Sequence, residues 1–389
     1  MKLFRFLINI SICALILTGC KLSIPSINSS LNYVISSSVN LNGDTLKLPP
    51  NKRLFFMDGA CLINGVVLGS QTSIAGNQNK IFKKVKIAGT WNVPTISTSM
   101  FSDIHEDNAL KNLFALTSPT IKNTVLIGSG DYWLSASRDW QSQIQLVSNT
   151  DVFIEGVVRL RPNKYRGYYL FNLKGDNISL SGNGAIIGDK ENHFGIEGEW
   201  GMGINISSGT NIKISNLTIK DCWGDCIYVG GDVDKVSIDR CCLDGSRRQG
   251  ISITSARRVY ISDCVIKNIA GTAPEFAVDI EPNAGKTVEY VSIRNVKAIN
   301  CNGGFMSWHP NKSSRIGTIE IYNCSVLGNV KHHDYSFELA ENVIMKNNQG
   351  VGKKIRLIAN TMVKLENNSI KNQKNSSYLI SNCKKVTKK

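Results

Sequence analysis

The sequence predicts an all-β chain: a right-handed parallel β-helix (a solenoid), with an N-terminal cap region that contains a short helix. Three observations carry that prediction. A short phrase of alternating apolar residues recurs along residues 151–380, an Asn, Asp or similar turn former follows it, and helical patterning is nearly absent after Thr150. The composition is compatible. With 42% hydrophobic and 19% charged residues the chain can build a core, and 389 residues is long for one compact domain but ordinary for a solenoid.

Residues 1–20 read MKLFRFLINISICALILTGC, with Lys2 and Arg5 ahead of an apolar run that ends at Thr18-Gly19-Cys20. The run is shorter than a membrane span and stops at small residues, the pattern of a cleaved export signal over residues 1–19. The ending resembles the bacterial lipobox. That resemblance implies lipidation of Cys20, a tether over residues 20–35, and a chain anchored to a membrane of the cell envelope without spanning it.

Residues 36–150 are less regular and read as N-terminal coils and cap. Strand-like phrases fall at 44–48, 60–67, 85–87 and 124–127, and a helix-like stretch covers 105–116. Over residues 151–380 the copies begin at Val152 and Ile178, then run clearly as Ile212-Lys213-Ile214-Ser215-Asn216-Leu217, Val236-Ser237-Ile238-Asp239-Arg240-Cys241 and Val259-Tyr260-Ile261-Ser262-Asp263-Cys264. Val291, Ile319 and Val363 open the later copies. Starts lie roughly 20 to 35 residues apart, a solenoid period, and the longer gap before Val363 predicts a weaker copy hidden within it. Alternation places one face inward, and parallel stacking joins these short strands into one core. A β-propeller needs four strands per longer repeat and a leucine-rich repeat needs its own frame, so neither fits. Cys241, Cys264 and Cys324 share a repeat position with Leu217 and Val296. They read as an inward ladder of small hydrophobes rather than disulfides or metal ligands, while the pairing of Cys222 and Cys226 stays open.

The formal charge of +15 favours anionic partners, although a basic but merely soluble surface explains it equally well. No zinc-finger spacing, basic helix or aromatic–basic sheet signature points to nucleic acid.

A second strand per coil stacks as Gly203-Ile204-Asn205-Ile206, Cys226-Ile227-Tyr228-Val229, Gly250-Ile251-Ser252-Ile253, Ala277-Val278-Asp279-Ile280 and Phe305-Met306-Ser307-Trp308. The outward row then reads Asn205, Tyr228, Ser252, Asp279, Ser307, with Glu281 and His309 two residues on. Just before these strands stand Glu199-Trp200, Trp223-Gly224-Asp225 and Arg247-Arg248-Gln249. Carboxylates, guanidiniums and aromatics converge on one face, where a purely structural solenoid more often shows Asn, Thr or Ser.

This arrangement resembles the pectin-lyase-like superfamily, and within it the polygalacturonase-like glycoside hydrolases. Those enzymes carry Asn-Thr-Asp, Asp-Asp, Gly-His-Gly and Arg-Ile-Lys on successive coils. Here Gly201-Met202-Gly203, Gly224-Asp225-Cys226, Arg248-Gln249-Gly250 and Asp279-Ile280-Glu281 stand in their places. One carboxylate is kept and the last motif is reversed in charge. The resemblance implies a polysaccharide substrate and a site at these coils, with altered chemistry.

An inverting glycoside hydrolase needs two carboxyl groups about 6.5–9.5 Å apart. Asp225 and Asp279, two coils apart, are on the order of 9–10 Å apart, and Asp279 and Glu281 about 6.5–7 Å apart at the backbone. The expected roles are Asp225 as general acid and Asp279, helped by Glu281, as activator of water. Arg247 and Arg248 would bind the sugar, and Trp200, Trp223, Tyr228, Glu199 and His309 would line the site. No cofactor is needed. Two alternatives remain: a lyase, for which resemblance to pectate lyases implies Ca²⁺ on Asp225, Asp279 and Glu281 with an Arg base, and a non-catalytic carbohydrate-binding solenoid. Arg248 can also simply neutralise Asp225 and Asp279.

Overall fold

A computed structural model describes residues 32–371 and 378–389. The leader, Cys20 and most of the tether expected from the sequence lie outside the described residues. Among the described residues no helix is long and apolar enough to cross a membrane.

Beyond an N-terminal six-stranded sheet, three parallel sheets of twelve, ten and ten strands run along the solenoid, most coils contributing to all three. In the twelve-stranded sheet Ile212, Val236, Val259, Val291, Ile319, Val343 and Val363 pair in one column. The hidden copy is therefore Ala340–Lys346. Val152 pairs with Leu180 rather than Ile178, a slip of two residues that leaves every face as predicted because side chains alternate with period two. The column is fully buried, and each Ile or Val is worth roughly 1.5–3 kcal/mol on removal from water.

The bends explain why Asn and Asp follow each phrase. Asn216, Asp263, Asn295, Asn323 and Asn347 all have φ between 53° and 58°, a left-handed conformation these side chains tolerate best after glycine. Their amides also bond from coil to coil, Asn295 Nδ2 to Asp263 Oδ1 at 2.9 Å and Asn323 Nδ2 to Asn295 Oδ1 at 3.2 Å. The thiols behave as the repeat predicts. Cys241, Cys264 and Cys324 are buried beside Leu217 and Val296, and every cysteine among the described residues is free, including Cys222 and Cys226.

In the N-terminal region, Leu62–Gly76 and Phe82–Trp91 pair in parallel beneath the first coils. The helix is shorter than 105–116 suggests, covering only Leu110–Phe114. Asn108 stops it upstream: its φ of 63° is incompatible with an α-helix, and its Oδ1 accepts the Ser135 N–H. Leu110, Leu113 and Phe114 join the core, which runs unbroken from Ile35 to Ile370.

Candidate functional site

The site lies on one of the ten-stranded sheets, across strands β1 (Trp200–Ser208), β2 (Ile227–Val229), β3 (Ile251–Ile253), β4 (Phe276–Ile280) and β5 (Gly303–Ser307). Register places Asn205, Tyr228, Ser252 and Asp279 in one outward row, as the sequence predicts. The fifth member differs. Asp279 pairs with Met306, and Ile280 with Ser307, one residue away from the expected alignment. Phe305 decides the matter. It enters the core and stacks on Tyr335 with ring centroids 5.4 Å apart, so Ser307 is turned inward and buried. The residue beside Glu281 is then Trp308, not His309, and the His309 ring is held on the backbone carbonyl of Asn311.

Asp279 is buried at the floor of the row. Gln249, itself wholly buried, spans from β4 to its carboxyl: its Oε1 accepts the Phe276 N–H at 2.7 Å and its Nε2 donates to Asp279 Oδ2 at 2.9 Å. Asp279 Oδ1 meets no donor, and the Glu281 carboxyl stands in hydrogen-bonding contact with Asp279. Burial first, and then the neighbouring charge of Glu281, push Asp279 well above the usual carboxylate range. Asp279 is therefore a buried carboxyl held toward its protonated form, with the Glu281 carboxyl beside it.

Asp225 departs furthest from its expected role. It has no exposed surface; its Oδ2 accepts from Ser252 Oγ at 2.8 Å and from Arg248 Nη1 at 3.2 Å. Burial raises its pKa to about 6, partly offset by Arg248 and the Ser252 hydroxyl. Lying beneath Arg248, it braces that side chain and is out of a sugar's reach. Arg248 also faces Glu199 at 3.8 Å. The ion pairing weighed as the structural alternative is thus real for Asp225, whereas Asp279 is held by Gln249 instead.

Above this floor opens a cleft of about 440 Å³. Its walls include Trp140, Tyr169, Trp200 and Tyr228. The Trp140 and Trp200 rings lie 5.3 Å apart and both are partly exposed. Tyr228 is fixed by Thr254 Oγ1 at 2.8 Å and Asn283 Nδ2 at 3.1 Å. Arg247 and Trp223 do not face the cleft. The Arg247 guanidinium packs 3.7 Å from the Trp223 ring centre, and Trp223 stacks on His193, which Asp189 holds at 2.8 Å. This part-buried stack supports the coil edge beside the cleft.

Four buried polar atoms without partners cluster around this floor: Asp225 Oδ1, Asp279 Oδ1, Arg248 Nε and Trp223 Nε1. Such atoms are costly, and their concentration in three successive coils marks a site rather than a packed surface. Among the described residues no three His, Cys, Asp or Glu side chains converge as metal ligands. The Ca²⁺ set expected for a lyase is not assembled, because Ser252 and Arg248 hold Asp225.

Sequence reasoning did not assign Trp140, Tyr169, Gln249 or Thr254. Tyr169 was within reach, since it pairs with Met202 and extending the second-strand stack one coil upstream finds it. Gln249 stood in a motif but had no role there. Trp140 precedes its strand with φ 59°, and no periodicity announces it.

A family model described as a right handed beta helix region matches residues 167–312, so the fold is the right-handed parallel β-helix that the repeat predicts. The chain is 30% identical over 260 residues to the uncharacterized protein YclG of Bacillus subtilis (strain 168), covering 58% of this chain and 43% of that protein. It is 28% identical over 162 residues to the SPbeta prophage-derived uncharacterized protein YorA of the same organism, covering 36% of this chain and 28% of that one. The chain thus spans less than half the length of these curated relatives. Among solved structures it is similar to a family 28 exopolygalacturonase of Yersinia enterocolitica, at 11% identity and a TM-score of 0.32 over 93% of this chain and 73% of the other.

Proposed function

We propose that the cleft binds a polysaccharide and hydrolyses its glycosidic bonds. The observation that carries this reading is the buried Asp279 carboxyl beside Glu281 at the floor of a cleft walled by Trp140, Trp200, Tyr169 and Tyr228. Aromatic faces suit the apolar faces of sugar rings, and a carboxyl kept protonated by burial is what protonation of a leaving glycosidic oxygen requires. In this reading Asp279, with Glu281 beside it, gives its proton to that oxygen as the bond to the anomeric carbon breaks. Glu199, on the other side of Arg248 and part-exposed, takes a proton from the attacking water. Arg248, anchored by Asp225, lines the cleft with Asp279 and Glu281 and faces Glu199 on its other side.

The test is a panel of polysaccharides followed for new reducing ends and for the ultraviolet absorbance of unsaturated uronate. The expected result is reducing ends without that absorbance, falling about 10²–10⁴-fold in Glu281→Gln and in Glu199→Gln. Full activity in both variants, or unsaturated product in the wild type, overturns the reading. The proposal extends to location: an exported chain, lipid-anchored at the cell envelope through Cys20, so that Cys20→Ser moves it from the membrane to the soluble fraction.

A further inference from the structure

The cleft does not share the positive charge of the protein. The chain carries +15 overall, yet among the described residues Arg248 is the one cation lining the cleft, against Asp279 and Glu281. Arg248 is already engaged, its guanidinium 3.2 Å from Asp225 and 3.8 Å from Glu199. Cations on neighbouring coils are likewise committed: Arg166 to Asp139 at 2.8 Å, Lys286 to Asp232 at 2.6 Å, and Arg356 to Glu338. The remaining polar groups at the walls are the uncharged Asn205, Ser252, Thr254, Tyr228, Asn283 and Asn311.

A carboxylate or sulfate placed over the floor would meet Asp279 and Glu281 with no cation lining the cleft other than the engaged Arg248. Like charges brought together in a part-buried site cost several kcal/mol. A hydroxyl, an acetamide or an ammonium in the same place finds acceptors in Glu281 and Asn283 and aromatic faces that also favour a cation.

Resting on the function proposed above, we infer that the cleft takes a glycan that is not anionic, with a neutral or amino sugar over Asp279 and Glu281. The basic surface elsewhere is then not a substrate signal.

The test measures binding, by quenching of Trp140 and Trp200 fluorescence, of three oligosaccharide sets: oligogalacturonate, neutral β-linked hexose oligomers, and chitosan oligomers. The expected result is that a neutral or amino set binds more than about ten-fold more tightly than the uronate, and that Glu281→Gln narrows the gap. Tightest binding of the uronate by the wild type overturns this inference and leaves the hydrolytic reading standing. An unchanged gap in Glu281→Gln also overturns it, because the discrimination then lies elsewhere. Binding of none of the three sets removes the carbohydrate reading, and the inference with it.

Discussion

Replacing Asp225 by Asn tests whether that carboxyl is a buried brace. Its pKa stands at about 6 in the folded chain against a reference value of 3.8. The folded chain therefore holds the proton more tightly than the unfolded one. The sign follows: this group's contribution to stability is fully present below about pH 3.8 and is lost as the pH rises through about 6. A difference of about two pH units at 1.36 kcal/mol each gives about 3 kcal/mol, and full burial means that solvent does not screen it away. Asparagine has nearly the same shape, keeps an acceptor for Ser252, and cannot titrate. Relative to wild type, Asp225→Asn should therefore gain about 3 kcal/mol of stability between about pH 3.5 and pH 8. A solenoid can open locally, so the readout is amide hydrogen exchange of Ile227–Val229 and Ile251–Ile253, compared with wild type at each pH, alongside the urea midpoint. A difference that does not change with pH refutes the reasoning. A gain that runs the other way shows the ion pair with Arg248 outweighing burial.

Ile238 is wholly buried in the central column, and Ile238→Ala should cost about 2–5 kcal/mol in urea denaturation; a cost below about 1 kcal/mol would mean that the coils collapse around the gap. Since every described cysteine is free, adding dithiothreitol should leave the denaturation midpoint where it is. A downward shift would reveal a disulfide. Trp200→Ala should raise KM about ten-fold or more with little change in kcat, as loss of a stacking wall implies, whereas an equal fall in kcat would place Trp200 in the reacting geometry.

How much of this was legible in advance depended on how local the signal is. The Asn of each bend could be read directly, because the left-handed turn at Asn323 is a property of that residue and its neighbours. The inward thiols followed from the same phase. The fold of the site row was legible as far as Asp279 and failed at the next coil, where Phe305, Met306 and Trp308 support either phase and only contact with Tyr335 chooses. Gln249 received no role, and Asp225 an exposed one, for a different reason. A polar side chain beside a strand can point to solvent or fold under a neighbour, and the choice depends on what the adjacent coil offers.

The sequence by itself determined the solenoid, the inward column and the coils that carry the site, because period-two burial and turn chemistry are encoded within each phrase. Tertiary structure alone decided which carboxyls meet the solvent. It drew Asp225 under Arg248, braced Asp279 through Gln249 against Glu281, and brought Trp140 and Tyr169 from earlier coils over that floor. The physical reason is that burial and bracing arise between coils, from side chains dozens of residues apart, where no local pattern reaches.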